Sequence, residues 1–401
     1  MRIVKRAALA LAATAALTTA AQAGGFSRGT ADTDILFEDG AVVGRTGLTV
    51  VIPGRDYTAT IFGGAPAASE GFENPAYVIP SVAVKVGMGD IASCAGTYTT
   101  PFGGNSDFSN FTVNGVRVGF NPTSTVATQS TVFVTNEFGL TCQAGAQVGR
   151  GRAFAMLGGF LQTLDYDQRV LGGARDLLLN DTSHGYRIGA GYEIPEIALR
   201  AQVIYRSEVD VDATGSFVST GITNPFVGPD PFGPGTFDAT GTGTLPRSLE
   251  VKLQSGIAAG TLAFLNVKWT DWSVFDQLTY DTGVGLGDQT LDFFYRDGWT
   301  VSAGVGRQVT ETIAASLAIG YDRGVGTGYD ISTDTWSLAA GVSLQPNERT
   351  EFRFGGALLY LTEGEETRRQ INGVEIVSPV PFLKADDDIG LALSSSLKFR
   401  F

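Results

Sequence analysis

The chain has little of what most enzyme active sites and metal centres are made of. Its 401 residues include two cysteines and one histidine, which leaves almost no material for a Cys/His zinc site, an iron–sulfur cluster or a histidine relay. Charged residues make up 17% of the chain, below the roughly 25% of ordinary soluble domains. The net charge of −13 argues against a nucleic-acid partner. We therefore predict no cofactor and no metal, and the composition disfavours most soluble enzymes.

Long apolar runs are also missing after Gly24, since a membrane-spanning helix needs about 18 or more consecutive apolar residues. The first residues are different: a basic start precedes the apolar stretch Ala7–Ala16, and Ala21-Gln22-Ala23 forms an A-x-A cleavage site. This pattern predicts a signal peptide over residues 1–23 and an exported mature chain. The alternative, a membrane anchor, is weaker because the apolar stretch is too short to span a bilayer.

The mature chain alternates between apolar and polar residues with the period of a β-strand. In Leu199–Phe217 one face is apolar and the other polar, apart from Ile204. Ile389–Phe401 repeats the pattern and ends on an aromatic residue. A soluble β-sandwich can alternate too, but its strands are usually about 5 or 6 residues long. Runs this long favour tilted strands that cross a membrane.

Counting such runs gives fourteen, with short and long connections in strict alternation. An even number of strands and this sorting of loops are typical of a closed outer-membrane barrel. We therefore predict an all-β protein, a 14-stranded antiparallel transmembrane β-barrel over residues 46–401, in the outer membrane of a Gram-negative cell, with lipid and lipopolysaccharide around it. The runs lie near 46–62, 76–86, 91–101, 126–148, 152–168, 184–194, 197–217, 244–258, 261–280, 291–308, 312–322, 332–344, 350–363 and 387–401.

The segment Gly24–Arg45 precedes the first predicted strand. A 14-stranded cylinder is roughly 25–30 Å across, too wide for inward side chains to fill. The segment has an apolar centre at Ile35, Leu36 and Phe37, so we predict that it folds into the lumen as a hatch. The alternative is a disordered periplasmic tail.

These features resemble the FadL/TodX (OMPP1) family of outer-membrane transporters for long-chain fatty acids and other hydrophobic compounds. The resemblance covers most of the mature chain and is strongest over about 188–322. It rests on Tyr205-Arg206-Ser207-Glu208-Val209 with Gly215, Leu245-Pro246 before Glu250-Val251, Lys268–Phe275 with its Trp-Ser-x-Phe pattern, and Asp297-Gly298-Trp299 with Gly304 and Asp322.

The resemblance implies a monomeric barrel with an N-terminal hatch, no enzymatic activity, and ligand release sideways through a kinked third strand. In this chain that strand lies near Ile91–Pro101, where Gly96 and Pro101 are candidate kink residues. One departure concerns the hatch. Where family hatches carry an Asn-Pro-Ala motif, this sequence reads Phe37-Glu38-Asp39-Gly40-Ala41, so the family's gating residues cannot be transferred.

An apolar ligand requires apolar surface outside the cell and an apolar pocket inside the barrel. The predicted outer loops Arg169–Ser183 and Val218–Gly243 are unusually apolar, and exposed apolar patches often mark binding. Mutual packing that caps the barrel is an equally good interpretation. The candidate groove residues are Leu177, Leu178, Phe226, Phe232 and Phe237.

Apolar residues on polar, lumen-facing strand faces are candidates for the wall of an inner pocket. We predict this role for Ile204, Phe294, Leu359 and Leu361. Arg206 and Arg296 share these faces and are candidate partners for a ligand carboxylate. The alternative for both arginines is ion pairing with lumen carboxylates such as Glu208 or Asp210.

Two further functions compete with an oily-ligand transporter, and one structural feature stays open. A general diffusion porin would need an open lumen. A lipid hydrolase would need a working Ser/His pair, but Ser183 and His184 are adjacent on a strand and point to opposite faces. Cys94 and Cys142 fall at similar heights on the third and fourth strands, which makes them candidates for a structural disulfide.

Overall fold

The alternating segments pair into one closed antiparallel barrel of fourteen strands, as the sequence predicted. The computed structural model describes residues 24–60, 66–67, 75–89, 91–113, 116–117, 119, 128–170, 174–221, 233–285, 287–371 and 374–401. The predicted signal peptide lies outside them.

The first strands are β1 (Val42–Ile52), β2 (Tyr77–Met88), β3 (Ala92–Thr99 and Gly103–Asp107), β4 (Thr128–Val148), β5 (Gly151–Val170), β6 (Arg175–Ile194) and β7 (Leu199–Arg206 and Val209–Thr220). The remainder are β8 (Pro234–Leu245 and Ser248–Ala258), β9 (Thr261–Thr270 and Gln277–Asp281), β10 (Gln289–Asp292 and Gly298–Gln308), β11 (Ile313–Arg323), β12 (Thr335–Asn347), β13 (Thr350–Leu361) and β14 (Asp388–Arg400).

The barrel closes where the first strand meets the last. β1 pairs with β14 from Val43↔Arg400 to Ile52↔Leu391, and its other edge pairs with β2. Closure leaves no free sheet edge along β1, which is the general advantage of a barrel. The short connections β2–β3, β4–β5, β6–β7, β8–β9, β10–β11 and β12–β13 all lie at one end of the barrel, called here the short-turn end. The opposite end is called the long-loop end.

Smaller elements of secondary structure lie outside the fourteen strands of the barrel. A four-stranded sheet joins Tyr57–Thr60, Pro66–Ala67, Gly364–Glu366 and Leu383–Ala385. Two hairpins pair Thr112–Val113 with Val116–Arg117, and Arg368–Ile371 with Val374–Val377. Short 3-10 helices cover Thr33–Phe37, Pro195–Ile197 and Trp272–Val274.

None of the helices in the described ranges is both long enough and apolar enough to cross a membrane.

Side chains along the strands alternate between the lumen and the outer surface. On β11, Leu317 and Ile319 are exposed outward, while Ser316 and Ala318 between and before them are buried. Large aromatic side chains also lie on the outer surface: Tyr186, Trp299, Trp336 and Tyr360. An outward apolar band with aromatic residues is what a lipid-facing barrel wall requires.

The alternation changes phase within β7. In its first half Val203 faces outward and Ile204 is buried. Arg206 and Ser207 then both face inward, and the alternation restarts one residue later, so that Val209 and Val211 are buried. The sequence predicted a single face throughout, which is wrong. The apolar face of β7 points outward near the short-turn end and into the lumen near the long-loop end.

Two predicted loops are partly strand. β6 begins at Arg175 and β8 at Pro234, so the predicted loops Arg169–Ser183 and Val218–Gly243 are shorter than expected. The run Leu177-Leu178-Leu179 hides the alternation in the sequence, because an outward leucine lies between two inward ones. β1 likewise begins at Val42 rather than Thr46.

Candidate functional site

The N-terminal segment (Gly24–Ala41) lies inside the barrel. Its 3-10 helix buries Ile35 and Leu36 completely, with Phe37 packed beside them. Around these side chains lie six apolar residues from five strands of the wall: Val43, Ala83, Ala95, Phe154, Met156 and Ile204. Packing of an apolar centre against the lumen wall explains why this short segment is ordered without a sheet of its own.

Three acidic side chains of the N-terminal segment bind cations of the wall. Asp32 accepts hydrogen bonds from Arg45 at 2.7 and 2.9 Å. Asp34 is 3.1 Å from Lys252 and 3.4 Å from Arg200. Glu38 is bound by four cations, namely Arg45, Arg353, Lys398 and Arg400. These cations belong to β1, β7, β8, β13 and β14, so the segment is tied to both sides of the barrel.

The other end of the N-terminal segment pairs with an interruption in β3. Strand β3 stops at Thr99 and resumes at Gly103. Across this break Arg28 N donates to Pro101 O at 2.8 Å, Gly29 N donates to Thr100 O at 2.8 Å, and Gly103 N donates to Phe26 O at 2.9 Å. Pro101 has no N–H to offer a neighbouring strand, and it lies in the break. Gly96, the other candidate kink residue, lies within the paired part of β3.

Phe26 extends from this segment into a cluster of aromatic rings. Its ring centroid is 5.5 Å from that of Phe133, 5.6 Å from those of Phe275 and Phe293, and 6.1 Å from that of Trp272. The contacts are edge-to-face, an arrangement that the ring quadrupoles favour. The N-terminal segment therefore supplies part of an aromatic wall in the middle of the barrel.

A cavity of about 600 Å³ opens beyond Phe26 in the long-loop half of the barrel. This volume is within the range of small-molecule sites, roughly 300–1,000 Å³. Much of its lining is aromatic or aliphatic, and the principal contributors are Phe26, Phe133, Leu179, Phe275, Phe293 and Tyr295. Val211 also lines the cavity, because the alternation of β7 shifts by one residue before it. The cavity can receive an oily ligand.

A few polar groups interrupt this lining. Arg28, Arg55 and Asp330 line the cavity, and so does the ion pair of Glu366 with Arg369, whose atoms lie 2.6 Å apart. The hydroxyl of Tyr295 donates to Asp330. These charged groups, together with threonine and serine side chains of the wall, interrupt the apolar lining at several points.

Several predicted site residues lie along this cavity. Leu177 is 2% exposed and lines it, as do Leu359 and Leu361 on β13. Phe237 packs on Phe217 at the edge of the same core, with a centroid distance of 6.4 Å. Ile204 lies elsewhere, against the 3-10 helix of the N-terminal segment. Whether any of them binds ligand stays a prediction.

Leu178 is 41% exposed and faces outward, because it follows inward-facing Leu177 on a strand; its place in an outer groove stays a prediction. Two other predicted positions are corrected. The ring of Phe294 packs at a tilt against that of Tyr329, with centroids 4.7 Å apart, and does not line the cavity. Arg296 is exposed and donates to Gly324 O. The lumen face here belongs to Phe293 and Tyr295, so the face assignment of Phe294 and Arg296 is wrong by one residue. Phe226 and Phe232 lie outside the described residues.

Arg206 faces the lumen but is fully engaged by the protein. Its Nε and Nη2 donate to Glu137 at 3.1 and 3.0 Å, and Nη1 contacts Ser207 O and Pro246 O. Arg187 binds the same carboxylate. The partner is Glu137 rather than the expected Glu208 or Asp210. Arg206 therefore joins β7 and the break in β8 to β4, and no donor is left over for a ligand carboxylate.

The two cysteines and the Ser/His pair have local roles. Cys94 and Cys142 face each other on β3 and β4 and form a disulfide. Ser183 donates to Asp210 O at 2.7 Å, whereas His184 on the opposite face is exposed. The wall residues do not bring Ser183 and His184 together as a hydrolase would require.

The sequence did not single out the aromatic cluster around Phe26. Trp272 and Phe275 lie in the interruption of β9, and Phe293 and Tyr295 lie in that of β10. Within these interruptions the strand alternation does not predict which way a side chain points. One signal was available: the spacing of aromatic residues in Trp272–Phe275 and Phe293–Tyr295 breaks the apolar–polar pattern of the strands on either side.

The family model described as outer membrane protein transport protein (OMPP1/FadL/TodX) matches residues 37–325. The chain belongs to this family. It is therefore an outer-membrane β-barrel of a family of transport proteins. No curated protein sequence matches the chain.

Solved structures share the fold at low sequence identity. A Pseudomonas aeruginosa FadL homologue superposes with a TM-score of 0.69 at 14% identity, over 91% of each chain. The P. putida toluene transporter TodX gives 0.61 at 13% identity, over 96% of this chain and 98% of that one. The CymD monoaromatic hydrocarbon channel gives 0.59 at 12% identity, over 91% and 90%. At such identities the likeness extends to the fold alone.

Proposed function

We propose that this protein carries hydrophobic small molecules, long-chain fatty acids or compounds of similar character, inward across the outer membrane by downhill diffusion. The observation that supports this most directly is the largely apolar cavity of about 600 Å³ above a lumen occupied by the N-terminal segment. A general diffusion porin needs an open aqueous lumen, and the packing around Ile35 and Leu36 argues against one.

The energy for uptake comes from the ligand. A fatty acid with about 15 methylenes gains on the order of 12 kcal/mol on full burial, at about 0.8 kcal/mol for each methylene. An apolar cavity supplies that gain and a water-filled pore does not. Once in the cavity, the ligand moves inward only if its concentration is lower on the far side, so no energy source is required.

The break in β3 is the proposed exit. The half of β3 after the break, Gly103–Asp107, pairs with β4, while the pairing with β2 ends at Thr99. The N-terminal segment covers the break from inside through Phe26 and Arg28, and Phe26 also lines the cavity. A ligand that displaces Phe26 would therefore loosen the cover over the break. A change of this kind requires that the ligand prefers the displaced state.

Uptake and binding by the intact protein test this function. Cells that lack their own transporter and produce this protein should take up labelled palmitate faster than cells that produce an empty vector, and the purified barrel should bind palmitate. The matched variant Leu179→Asp places a charge in the apolar lining, while Asn180→Asp places the same charge on the outward neighbour. Only the first should abolish uptake. Equal uptake by both variants, or no binding of any oily ligand by the wild type, would refute the proposal.

A further inference from the structure

Arg55 is a buried cation without a counter-ion at contact distance. It follows β1 at the long-loop end, is 5% exposed and lines the cavity. Its Nη2 donates to Thr362 O at 2.9 Å, but Nε and Nη1 have no hydrogen-bond partner. A buried charge that lacks partners is costly, so the protein stabilises this guanidinium only in part.

Arg28 is a second cation of this kind. It is 6% exposed, lines the same cavity, and its guanidinium lies 4.1 Å above the ring of Tyr77. Nε donates to Gly103 O at 2.9 Å. Within the described ranges, neither Arg28 nor Arg55 forms an ion pair with a carboxylate.

Several other buried cations of the lumen are paired with carboxylates, while Lys85 donates to the backbone O atoms of Glu38 and Gly40. Arg187 and Arg206 share Glu137, Arg353 binds Glu351, and Lys398 binds Glu38 and Glu351. Arg369, in the cavity itself, binds Glu366. Within the described residues, the protein therefore supplies carboxylates to these lumen cations and places none at contact distance of Arg28 and Arg55, which line the cavity. This contrast points to an anion that arrives with the ligand.

We propose that Arg55, assisted by Arg28, binds the carboxylate of a single-chain amphipathic ligand whose tail lies against the aromatic wall. A guanidinium binds a carboxylate through charge-assisted hydrogen bonds in a fixed planar geometry. The inference rests on the proposed function, because it assigns the substrate class of the same cavity: long-chain carboxylates rather than uncharged hydrocarbons. Arg28 belongs to the segment that covers the β3 break, so the bound head also contacts the cover.

Binding of palmitate and of hexadecanol, which has the same tail and no charge, tests the assignment. Both labelled compounds are titrated against the purified full-length mature barrel in uncharged detergent, at alkaline pH where the carboxylate is ionised. The wild type should bind palmitate more tightly than hexadecanol. Arg55→Gln should weaken palmitate binding by about 10-fold to 100-fold, the range for a hydrogen bond to a charged group, and leave hexadecanol binding unchanged.

Two comparisons separate binding from structure. Arg150→Gln, the same change on an exposed turn residue, should leave both affinities unchanged. Arg55→Met should not lower the unfolding temperature of the ligand-free barrel, because the charge it removes has unmet hydrogen bonds; a structural arginine would lower it. Equal binding of palmitate and hexadecanol by the wild type, or unchanged palmitate binding in Arg55→Gln, would overturn the inference while leaving the transport function intact. Failure of the wild type to bind either compound would overturn the function as well.

Discussion

At the residue scale, a ligand head must compete with the charges already near it. The field of Arg55 acts on the carboxyl of Asp330, which lies between β11 and β12 and lines the cavity. Burial nevertheless raises the pKa of Asp330 above its ordinary value. When ionised, Asp330 offsets part of the charge of Arg55 and repels an incoming anion.

Removing that repulsion should therefore strengthen anion binding. Asp330→Asn retains an acceptor for the Tyr295 hydroxyl and should bind palmitate several-fold more tightly than the wild type at alkaline pH. A long-chain alkyl sulfonate, which stays ionised, gives the pH dependence. Its affinity for the wild type should rise as the pH falls through the raised pKa of Asp330, because the protonated carboxyl no longer repels it.

A second carboxyl contributes to the same dependence. Burial raises the pKa of Glu366 to about 7, and Glu366 lines the cavity beside Arg369. The variant Asp330→Asn should therefore keep part of the pH dependence of sulfonate affinity. The double variant Asp330→Asn with Glu366→Gln should lose it. Sulfonate affinity in the wild type that does not change with pH would contradict this account.

The arginines show where sequence reasoning reaches its limit. Alternation correctly placed Arg206 on the lumen side, but it cannot show that Glu137, far away in the chain, uses its donors. Alternation misplaced Arg296, which lies in the interruption of β10. Arg55 lies beyond the end of β1, outside any alternating run, so periodicity carries no information about it.

At the element scale, the interruption in β3 requires a partner that the barrel wall does not provide. Backbone N–H and C=O groups at a strand break need hydrogen bonds when they are buried, and the N-terminal segment supplies them at Thr100–Gly103. The sequence predicted both the third strand and a hatch. It did not predict that they pair, because pairing between distant segments leaves no local pattern.

Covalent attachment of the segment to the break should stop transport. Ser27 and Phe102 face each other in an isolated antiparallel bridge, and opposed residues of this kind lie close enough for a disulfide. Ser27→Cys with Phe102→Cys should block palmitate uptake under oxidising conditions, and reductant should restore it. Binding of palmitate should persist in the oxidised protein, because Arg55 and the aromatic residues that line the cavity are retained.

The native disulfide makes matched controls necessary. Each single variant and the wild type are treated identically, so that any effect of reducing Cys94–Cys142 is measured separately. Full uptake by the oxidised double variant, with the new disulfide confirmed by mass spectrometry, would exclude the β3 break as the exit.

At the scale of the whole molecule, strand β7 reverses the polarity of its two faces along the barrel. Near the short-turn end Val203 of β7 faces outward, and the lumen contains ion pairs such as Glu38–Lys398 beside the apolar packing of Ile35 and Leu36. Near the long-loop end β7 turns Val209 and Val211 inward and Asp210 outward. The number of strands, the sorting of short and long loops, and closure can be predicted from the sequence, because they follow from the two-residue period and from the number of alternating runs. The reversal on β7 depends on a shift of one residue at Ser207. The sequence does not show this shift, because its apolar and polar residues continue to alternate through Ser207.

The lumen itself gives the most direct test of this arrangement. A 14-stranded barrel is too wide to be filled by wall side chains alone, and the N-terminal segment is held in it by buried packing and by the ion pairs of Asp34 and Glu38. The wild type should therefore be nearly silent in a planar lipid bilayer. Deletion of residues 26–39 should produce a steady ohmic current. Asp34→Asn with Glu38→Gln should produce intermittent openings, since these substitutions remove the charges and keep the apolar packing.

Asp39→Asn serves as the matched control, because Asp39 neighbours Glu38 but is exposed. A silent deletion variant that remains a folded barrel would mean that wall residues such as Arg206 and Glu137 seal the lumen, and a wild type that conducts steadily would mean that the N-terminal segment does not.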